Sequence, residues 1–190
     1  MNQPPLSYSS SEAIPLPSDH DLGFLHAQAV KLSGDLNVSR TLAGTGNLFL
    51  PAAAFVKALF STGGIDPKIR ELIVLRSAKL LDCPYEWQAN AAMAKNAGCT
   101  PTEIDAMASD GPVTGLGEEI TLILSAVDEL TKDATLTDET LAAMRARYDD
   151  ELVRKYLLMI GWFNLLSRFL NGCRVPLESG DKIGGKTSPV

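Results

Sequence analysis

The feature that most constrains this chain is a run of four apolar residues, 72–75 (LIVL), inside a helix-forming segment. Asp66 and Pro67 form a helix start, because an aspartate can cap the first turn and the fixed φ of proline suits that turn. The pattern predicts a helix that runs to about Leu81. Because a surface helix has one apolar stripe and this one is apolar on every side at its centre, we expect it to be buried on several faces.

Helical signals also dominate the rest of the chain. Pro84 starts a second helix, Gly98 ends it, and Thr100 and Glu103 have the spacing of a capping box that opens a third. Further helices are predicted over 20–33, 48–60, 118–132, 138–148 and 151–171. No stretch alternates with a period of two, so the predicted fold class is all-α.

The two ends of the chain differ from its centre. Residues 1–17 are rich in proline and serine and are predicted to form an extended arm, and residues 179–190 a flexible tail around one domain at 18–178. The first fifteen residues lack the basic and apolar regions of a signal peptide. The longest apolar stretch, 156–166, is shorter than the ~20 residues that span a bilayer. We therefore expect a cytoplasmic protein without a membrane partner.

Composition excludes several classes of function. The 17 basic and 23 acidic residues give a net charge of −6, which disfavours general nucleic-acid binding. Cys83, Cys99 and Cys173 are widely spaced, contain no CxxC pair and suit a reducing compartment. His20 and His26 both lie early in the chain, so a histidine metal site or a catalytic triad is hard to build. The sequence therefore predicts neither a metal nor an organic cofactor.

Polar residues concentrate in the two helices that begin at Pro67 and Pro84. Arg70, Glu71 and Arg76 lie in an otherwise apolar helix, where charges are costly unless they are paired or used.

Cys83, Glu86 and Asn90 are spaced by three and four residues and would share one face of the second helix. Cys83 would lie at the helix N-terminus, where the dipole favours a thiolate. Trp87 could desolvate Glu86 and raise its pKa toward use as a general acid.

The last long helix carries a second polar set. Asn164, Arg168 and Asn171 recur at four and three residues, with Trp162 just before them. Hydrogen bonds between helices at an oligomer seam would explain this set. The alternative is an anion clamp in which Arg168 holds a carboxylate through two parallel bonds. The sequence favours hydrogen bonding between helices over the anion clamp.

The segment RELIVLRSAKLLDCPYEW (70–87), followed by an alanine-rich helix and GCTPTEI, resembles the carboxymuconolactone decarboxylase family. That superfamily also holds the alkylhydroperoxidase D-like (AhpD-like) proteins. The similarity extends from about residue 37 to about residue 177. It implies an all-helical AhpD-like bundle that assembles into homo-oligomers, trimers or hexamers, with active sites lined by this helix pair near a subunit boundary.

The peroxidase branch of that superfamily uses a glutamate, a CxxC pair and a histidine. Glu71 and Cys83 match the glutamate and the first cysteine, whereas Glu86 and Asn90 stand where the second cysteine and the histidine belong. The disulfide cycle needs two sulfurs, so this chain is not expected to follow the usual peroxidase route.

Three interpretations of function follow. The first is a cofactor-independent enzyme that decarboxylates a small organic acid or lactone, or moves a proton beside its carbonyl group. Glu71 and Glu86 would transfer protons, and arginines would stabilise an anionic substrate and the developing enolate. The predicted substrate-binding residues are Asn90, Tyr85, Trp87, Arg70, Arg76 and Arg168.

The other two interpretations do not use this acid–base chemistry. One is a non-catalytic helical oligomer whose polar residues are structural. The other is an atypical peroxidase that works through Cys83, which would then be exposed and close to another thiol.

Overall fold

The computed structural model describes residues 12–186, and within that range it contains helices and no strands, which confirms the all-α fold class. The helices are α1 (Asp19–Leu22), α2 (Phe24–Ser33), α3 (Asn37–Ala43), α4 (Phe49–Phe60), α5 (Pro67–Leu80), α6 (Pro84–Asn96), α7 (Pro101–Met107), α8 (Glu118–Lys132), α9 (Asp138–Arg147) and α10 (Asp150–Cys173). A 3₁₀ turn, Gly46–Leu48, leads into α4.

The N-terminal third departs most from the predicted helices. The helix expected over 20–33 is broken at Gly23, which has a positive φ of 53°. Helix α3 was not predicted, because it has only seven residues and its N-cap, Leu36, makes no side-chain capping bond. Among residues 12–186 no single helix has the length and apolar content to cross a bilayer; α3 and Gly46–Phe60 reach that threshold only as a pair bent by 115°.

Helix α5 lies at the centre of the bundle. The side chains of residues 72–75 are almost completely buried. Ile73 and Val74 belong to the main apolar core, whereas Leu72 and Leu75 belong to a second cluster with α7 and α8. The predicted burial on several faces is therefore confirmed, and α5 is the helix on which α6, α8 and α10 pack.

The buried guanidinium of Arg76 joins α5 to α8 and to the loop after α7. Its Nε and Nη2 donate to the two carboxylate oxygens of Asp128, at 2.6 and 2.8 Å. Nη1 donates to the backbone oxygens of Met107 and Ser109, and Nη2 also donates to that of Gly111. All five N–H donors of an arginine side chain are thus used within the protein.

The segment after α10 folds back over α6 and α3. The Glu178 carboxylate accepts hydrogen bonds from the Tyr85 hydroxyl and from the Asn37 backbone N–H, both at 2.5 Å. Its backbone N–H donates to the Gln88 side chain at 2.9 Å. These contacts fix the C-terminal segment to the start of α6.

Both chain ends make contacts where the structure describes them. Ile183 is buried, and the Asn96 amide donates to the Gly184 backbone oxygen at 3.0 Å. At the other end, the Ile14 N–H donates to the Cys173 backbone oxygen at 3.1 Å. Most of the predicted arm and the last four residues of the predicted tail lie outside the described residues, so both remain predictions.

Replacing Arg76 should destabilise the fold strongly. Arg76→Met leaves Asp128 and three backbone oxygens without their buried donors, and loss of one partner of a buried ion pair typically costs roughly 3–5 kcal/mol. Urea unfolding measures this loss. The control Arg154→Met removes an exposed ion pair with Asp150 and should change stability by less than about 1 kcal/mol. Equal losses in the two variants would contradict the assignment.

Candidate functional site

A small cavity of about 60 Å³ lies among α2, α3, α4, α6 and α10. A buried water needs roughly 10–15 Å³ measured in this way, so the space admits only a few waters or a small organic molecule. The wall is mostly apolar. Its apolar members include Leu36, Leu42, Val56, Phe60, Trp162, Phe163 and Leu166, and its polar members are Ser33, Ser39, Tyr85, Glu86 and Asn90.

Glu86 supplies the carboxyl group of this wall. It lies in the first turn of α6 with 4% of its surface exposed. The Asn90 amide, one turn later, donates to the Glu86 Oε2 and to its backbone oxygen, both at 2.9 Å. Burial raises the pKa of Glu86 to about 7, although the Asn90 bond opposes the rise and the charge of Glu71 adds to it. A carboxyl that titrates near neutral pH can act as either acid or base.

Glu71 is not part of the cavity wall. It is fully buried in α5, and its Oε1 lies 3.8 Å from the Arg70 Nε. Its electrostatic effect on Glu86 is nevertheless direct, since it helps to raise the pKa of that carboxyl. Of the three polar residues Glu71, Glu86 and Asn90, the structure places Glu86 and Asn90 in the cavity wall and Glu71 outside it.

The three predicted substrate-binding arginines all lie outside the cavity wall. Arg70 donates to the Phe60 backbone oxygen at 3.3 Å, and its guanidinium stands 5.0 Å from the centre of the Phe60 ring. Burial lowers the pKa of Arg70. The N–H donors of Arg76 are all bonded to Asp128 and to backbone oxygens at and after the end of α7. The structure gives both side chains contacts inside the bundle: all the donors of Arg76 have acceptors, whereas Arg70 donates only through Nη1 and its buried Nε has no hydrogen-bond partner among residues 12–186.

Arg168 and the asparagines of α10 also make contacts within the chain. The exposed Arg168 donates to the Asn164 Oδ1 at 3.0 Å, and Asn164 donates to the Thr131 hydroxyl on α8 at 3.0 Å. Asn171 donates to the Leu81 backbone oxygen at 2.8 Å and so satisfies the end of α5. These bonds match the interpretation of hydrogen bonding between helices, here inside one chain, and place no anion clamp at the cavity.

Cys83 is buried at the N-cap of α6 and does not line the cavity. Burial and the charge of Glu86 raise the pKa of its thiol to about 12, which is opposite to the thiolate expected from the helix dipole. Desolvation outweighs the dipole because the thiol has almost no access to water. Cys99 and Cys173 are also buried, and all three cysteines are free thiols. The exposed Cys83 required for the atypical peroxidase is not observed.

Of the two aromatic residues beside Glu86 in sequence, only Tyr85 reaches the cavity wall. Its hydroxyl donates to Glu178 and accepts from the Val38 N–H at 3.0 Å. Burial and the Glu178 carboxylate raise the pKa of Tyr85. Trp87 is half-buried, packs against both apolar clusters and is not a wall residue.

Among the wall residues with a polar side-chain atom, sequence analysis did not place Trp162, Ser33 and Ser39 at the site. Trp162 lies on α10, where its ring packs edge-on against Phe55 at a centroid distance of 5.3 Å. Ser33 and Ser39 share a short hydrogen bond at the other side of the cavity. The apolar face of α10 was a signal for Trp162, whereas nothing local distinguished the serines.

The described part of the chain shows no preformed metal site. Within residues 12–186, no group of three or more His, Cys, Asp or Glu side chains is placed to hold a metal ion.

The raised pKa of Glu86 has a consequence for stability. The folded-state pKa of about 7 exceeds the unfolded value near 4.5, so the folded protein holds this proton more tightly. As pH rises through this window the wild type loses roughly 3 kcal/mol, at about 1.4 kcal/mol per pKa unit, and the loss is complete above pH 7.

Urea unfolding of Glu86→Gln between pH 4.5 and 8 tests this. The variant lacks the ionisable group, so its stability relative to wild type should increase as pH rises. The control Glu139→Gln changes an exposed side chain on α9 and should follow the wild-type curve. A pH-independent difference between Glu86→Gln and wild type would contradict the prediction.

Comparisons with known proteins agree with the fold. Residues 50–129 match the sequence profile of the carboxymuconolactone decarboxylase family. A crystal structure of a protein of unknown function from Agrobacterium tumefaciens, suggested to be the antioxidant defence protein AhpD, is similar at a TM-score of 0.63 and 24% identity. The similarity covers 70% of this chain and 92% of that one. No curated protein matches. Residues 50–129 are thus similar to the carboxymuconolactone decarboxylase family, as the resemblance at 70–87 predicted, and the helical fold is similar to that of the A. tumefaciens protein.

Proposed function

We propose that this protein is an enzyme in which Glu86 transfers a proton beside the carbonyl group of a small organic acid or lactone. The observation that supports this proposal is a buried carboxyl in the wall of a small apolar cavity, with its pKa raised to about 7. A general acid or base works best when its pKa is close to the operating pH. The family match adds support, since the family is named for a decarboxylase.

The proposed step balances with the groups of this site alone. The Glu86 carboxylate takes a proton from the carbon next to the carbonyl, and the electron pair moves onto the carbonyl oxygen as an enolate. The same carboxyl then returns the proton to carbon. The Asn90 amide holds Glu86 in place through its bond to Oε2.

Decarboxylation would use the same groups. The carbon–carbon bond to the carboxylate of a β-keto acid breaks, CO₂ leaves, and the resulting enolate takes its proton from Glu86. The wall residues include no lysine, arginine or histidine, so an anion gains no ion pair there. An uncharged lactone or ketone therefore fits this wall better than the anionic substrate predicted from sequence.

The proposal places Cys83 outside the reaction. Its thiol is buried and its pKa is raised to about 12, so the thiolate that peroxide reduction needs is scarce at neutral pH. An antioxidant role like the one suggested for the A. tumefaciens protein would require Cys83 of this chain to become exposed.

Homo-oligomerisation, which the family resemblance implied, is part of the proposal. Helix α10 exposes Leu158 and Leu165, at 53% and 55% of their surface, on the same face as Gly161. A second copy that covered this face would remove two large apolar side chains from water.

Light scattering on the purified protein tests the oligomer. The double variant Leu158→Glu, Leu165→Glu should have a lower mass than wild type, because two carboxylates would have to be buried at the seam. The control Leu141→Glu changes an exposed leucine on α9 and should keep the wild-type mass. A wild type that is monomeric at micromolar concentration would contradict this part of the proposal.

Turnover of small carbonyl compounds tests the chemistry. Wild-type protein in D₂O should accelerate deuterium uptake beside the carbonyl of γ-butyrolactone or of cyclopentanone, two uncharged compounds, followed by NMR. Glu86→Gln should lower the rate by about 10²–10⁴-fold. The rate of the wild type should change with an inflection near pH 7, as Glu86 titrates.

Two controls separate the alternatives. Cys83→Ser should retain most of the activity. Complete loss of activity in this variant would indicate that the Cys83 thiol takes part in the reaction. Glu139→Gln should behave as wild type. A Glu86→Gln variant with full activity would remove Glu86 from the mechanism, and a wild type without activity on the panel would favour the non-catalytic oligomer.

A further inference from the structure

The indole N–H of Trp162 is a buried donor in the cavity wall. Its Nε1 atom is shielded from solvent and has no hydrogen-bond partner among residues 12–186. The great majority of buried polar side-chain atoms in proteins have a partner, because an unpaired one loses its bonds to water without replacement. A donor of this kind beside a cavity is suited to a bound molecule.

The position of Trp162 is well fixed. The residue is 8% exposed, and its ring packs edge-on against Phe55, with an angle of 62° between the ring planes. It lines the same cavity as Glu86 and Asn90. A small molecule in that cavity would therefore lie against both Glu86 and Trp162.

The chemistry of the wall restricts what such a molecule can be. An indole N–H can only donate, so its partner must carry an acceptor atom. The carboxyl of Glu86 and the lack of any cation among the lining residues disfavour an anion. The mostly apolar wall disfavours a molecule with many polar groups. What remains is a small uncharged compound with few polar atoms and at least one acceptor, and the carbonyl oxygen of the lactones and ketones proposed above meets this description.

We propose that the Trp162 Nε1–H donates a hydrogen bond to the carbonyl oxygen of a small uncharged lactone or ketone bound in this cavity. This inference rests on the proposed function for its site and names the substrate class of that site. During proton transfer the carbonyl oxygen gains negative charge, so a donor already placed at it stabilises the enolate. Trp162 is then a substrate-binding residue that selects for a carbonyl oxygen.

The indole resonances provide a direct test on the unmodified protein. The chain has two tryptophans, Trp87 and Trp162, and Trp87→Phe identifies their signals in a ¹H–¹⁵N spectrum. Titration with γ-butyrolactone should move the Trp162 indole proton downfield and saturate, with little change at Trp87. Cyclopentane, a ring of matched size without oxygen, should give no downfield shift.

Three results would overturn the inference. They are no saturable change with the lactone, an equal shift with cyclopentane, or a shift confined to Trp87. A second measurement uses Trp162→Phe, which keeps an aromatic ring and removes the N–H. Its affinity for γ-butyrolactone should fall about tenfold, as expected for loss of one neutral hydrogen bond, with cyclopentane affinity nearly unchanged. The Trp87→Phe control should bind the lactone as wild type does.

The outcomes separate this inference from the proposed function. If the lactone shifts Trp162 but is never turned over, the binding assignment stands and the proposed enzyme chemistry fails. If Trp162→Phe binds and turns over the lactone as wild type does while Glu86→Gln is inactive, the enzyme chemistry stands and the role of Trp162 fails.

Discussion

The guanidinium of Arg76 holds together the elements on which the bundle is built. Its five N–H groups meet Asp128 on α8 and three backbone oxygens around the end of α7. Loss of such a partner leaves a buried charge uncompensated, which is strongly destabilising. These contacts therefore favour one relative arrangement of α5, α7 and α8. Helix α5 also carries Glu71, and α6, which carries Glu86, packs on α5. The helix that Arg76 anchors therefore also holds the charge that helps to raise the pKa of Glu86.

The site combines a carboxyl group with walls that give it little solvation. Apolar side chains from α3, α4 and α10 share the cavity wall with Glu86, and among residues 12–186 the side-chain donor to its carboxylate is Asn90. In such surroundings the neutral and ionised forms of a carboxyl approach equal stability near pH 7. The same walls set the polarity of a ligand. A cavity with little water disfavours negative charge, whether that charge is on Glu86 or on a ligand. The same poor solvation therefore raises the pKa of Glu86 and favours the uncharged substrate proposed above.

Local patterns predicted some of this structure, and non-local contacts account for what they missed. The start of α5, its burial and the pairing of Glu86 with Asn90 follow from caps, periodicity and a four-residue spacing within a helix. Arg76 was assigned to a substrate because its partner lies 52 residues away. Trp162 and the serines reach the cavity from separate helices, and only the packing of those helices reveals it. Desolvation of Cys83 likewise depends on its neighbours in space, so the helix dipole alone gave the opposite pKa shift.

The contact between Glu178 and Tyr85 joins residues 93 positions apart. Tyr85 forms part of the cavity wall, yet its hydroxyl finds its acceptor only near the end of the chain. During synthesis on the ribosome, the helix that carries Glu86 emerges well before the segment that holds the Tyr85 hydroxyl. The cavity therefore reaches its final shape late in biogenesis. A nascent chain that stalls before Glu178 would contain Glu86 but would lack the acceptor that holds Tyr85 in the cavity wall.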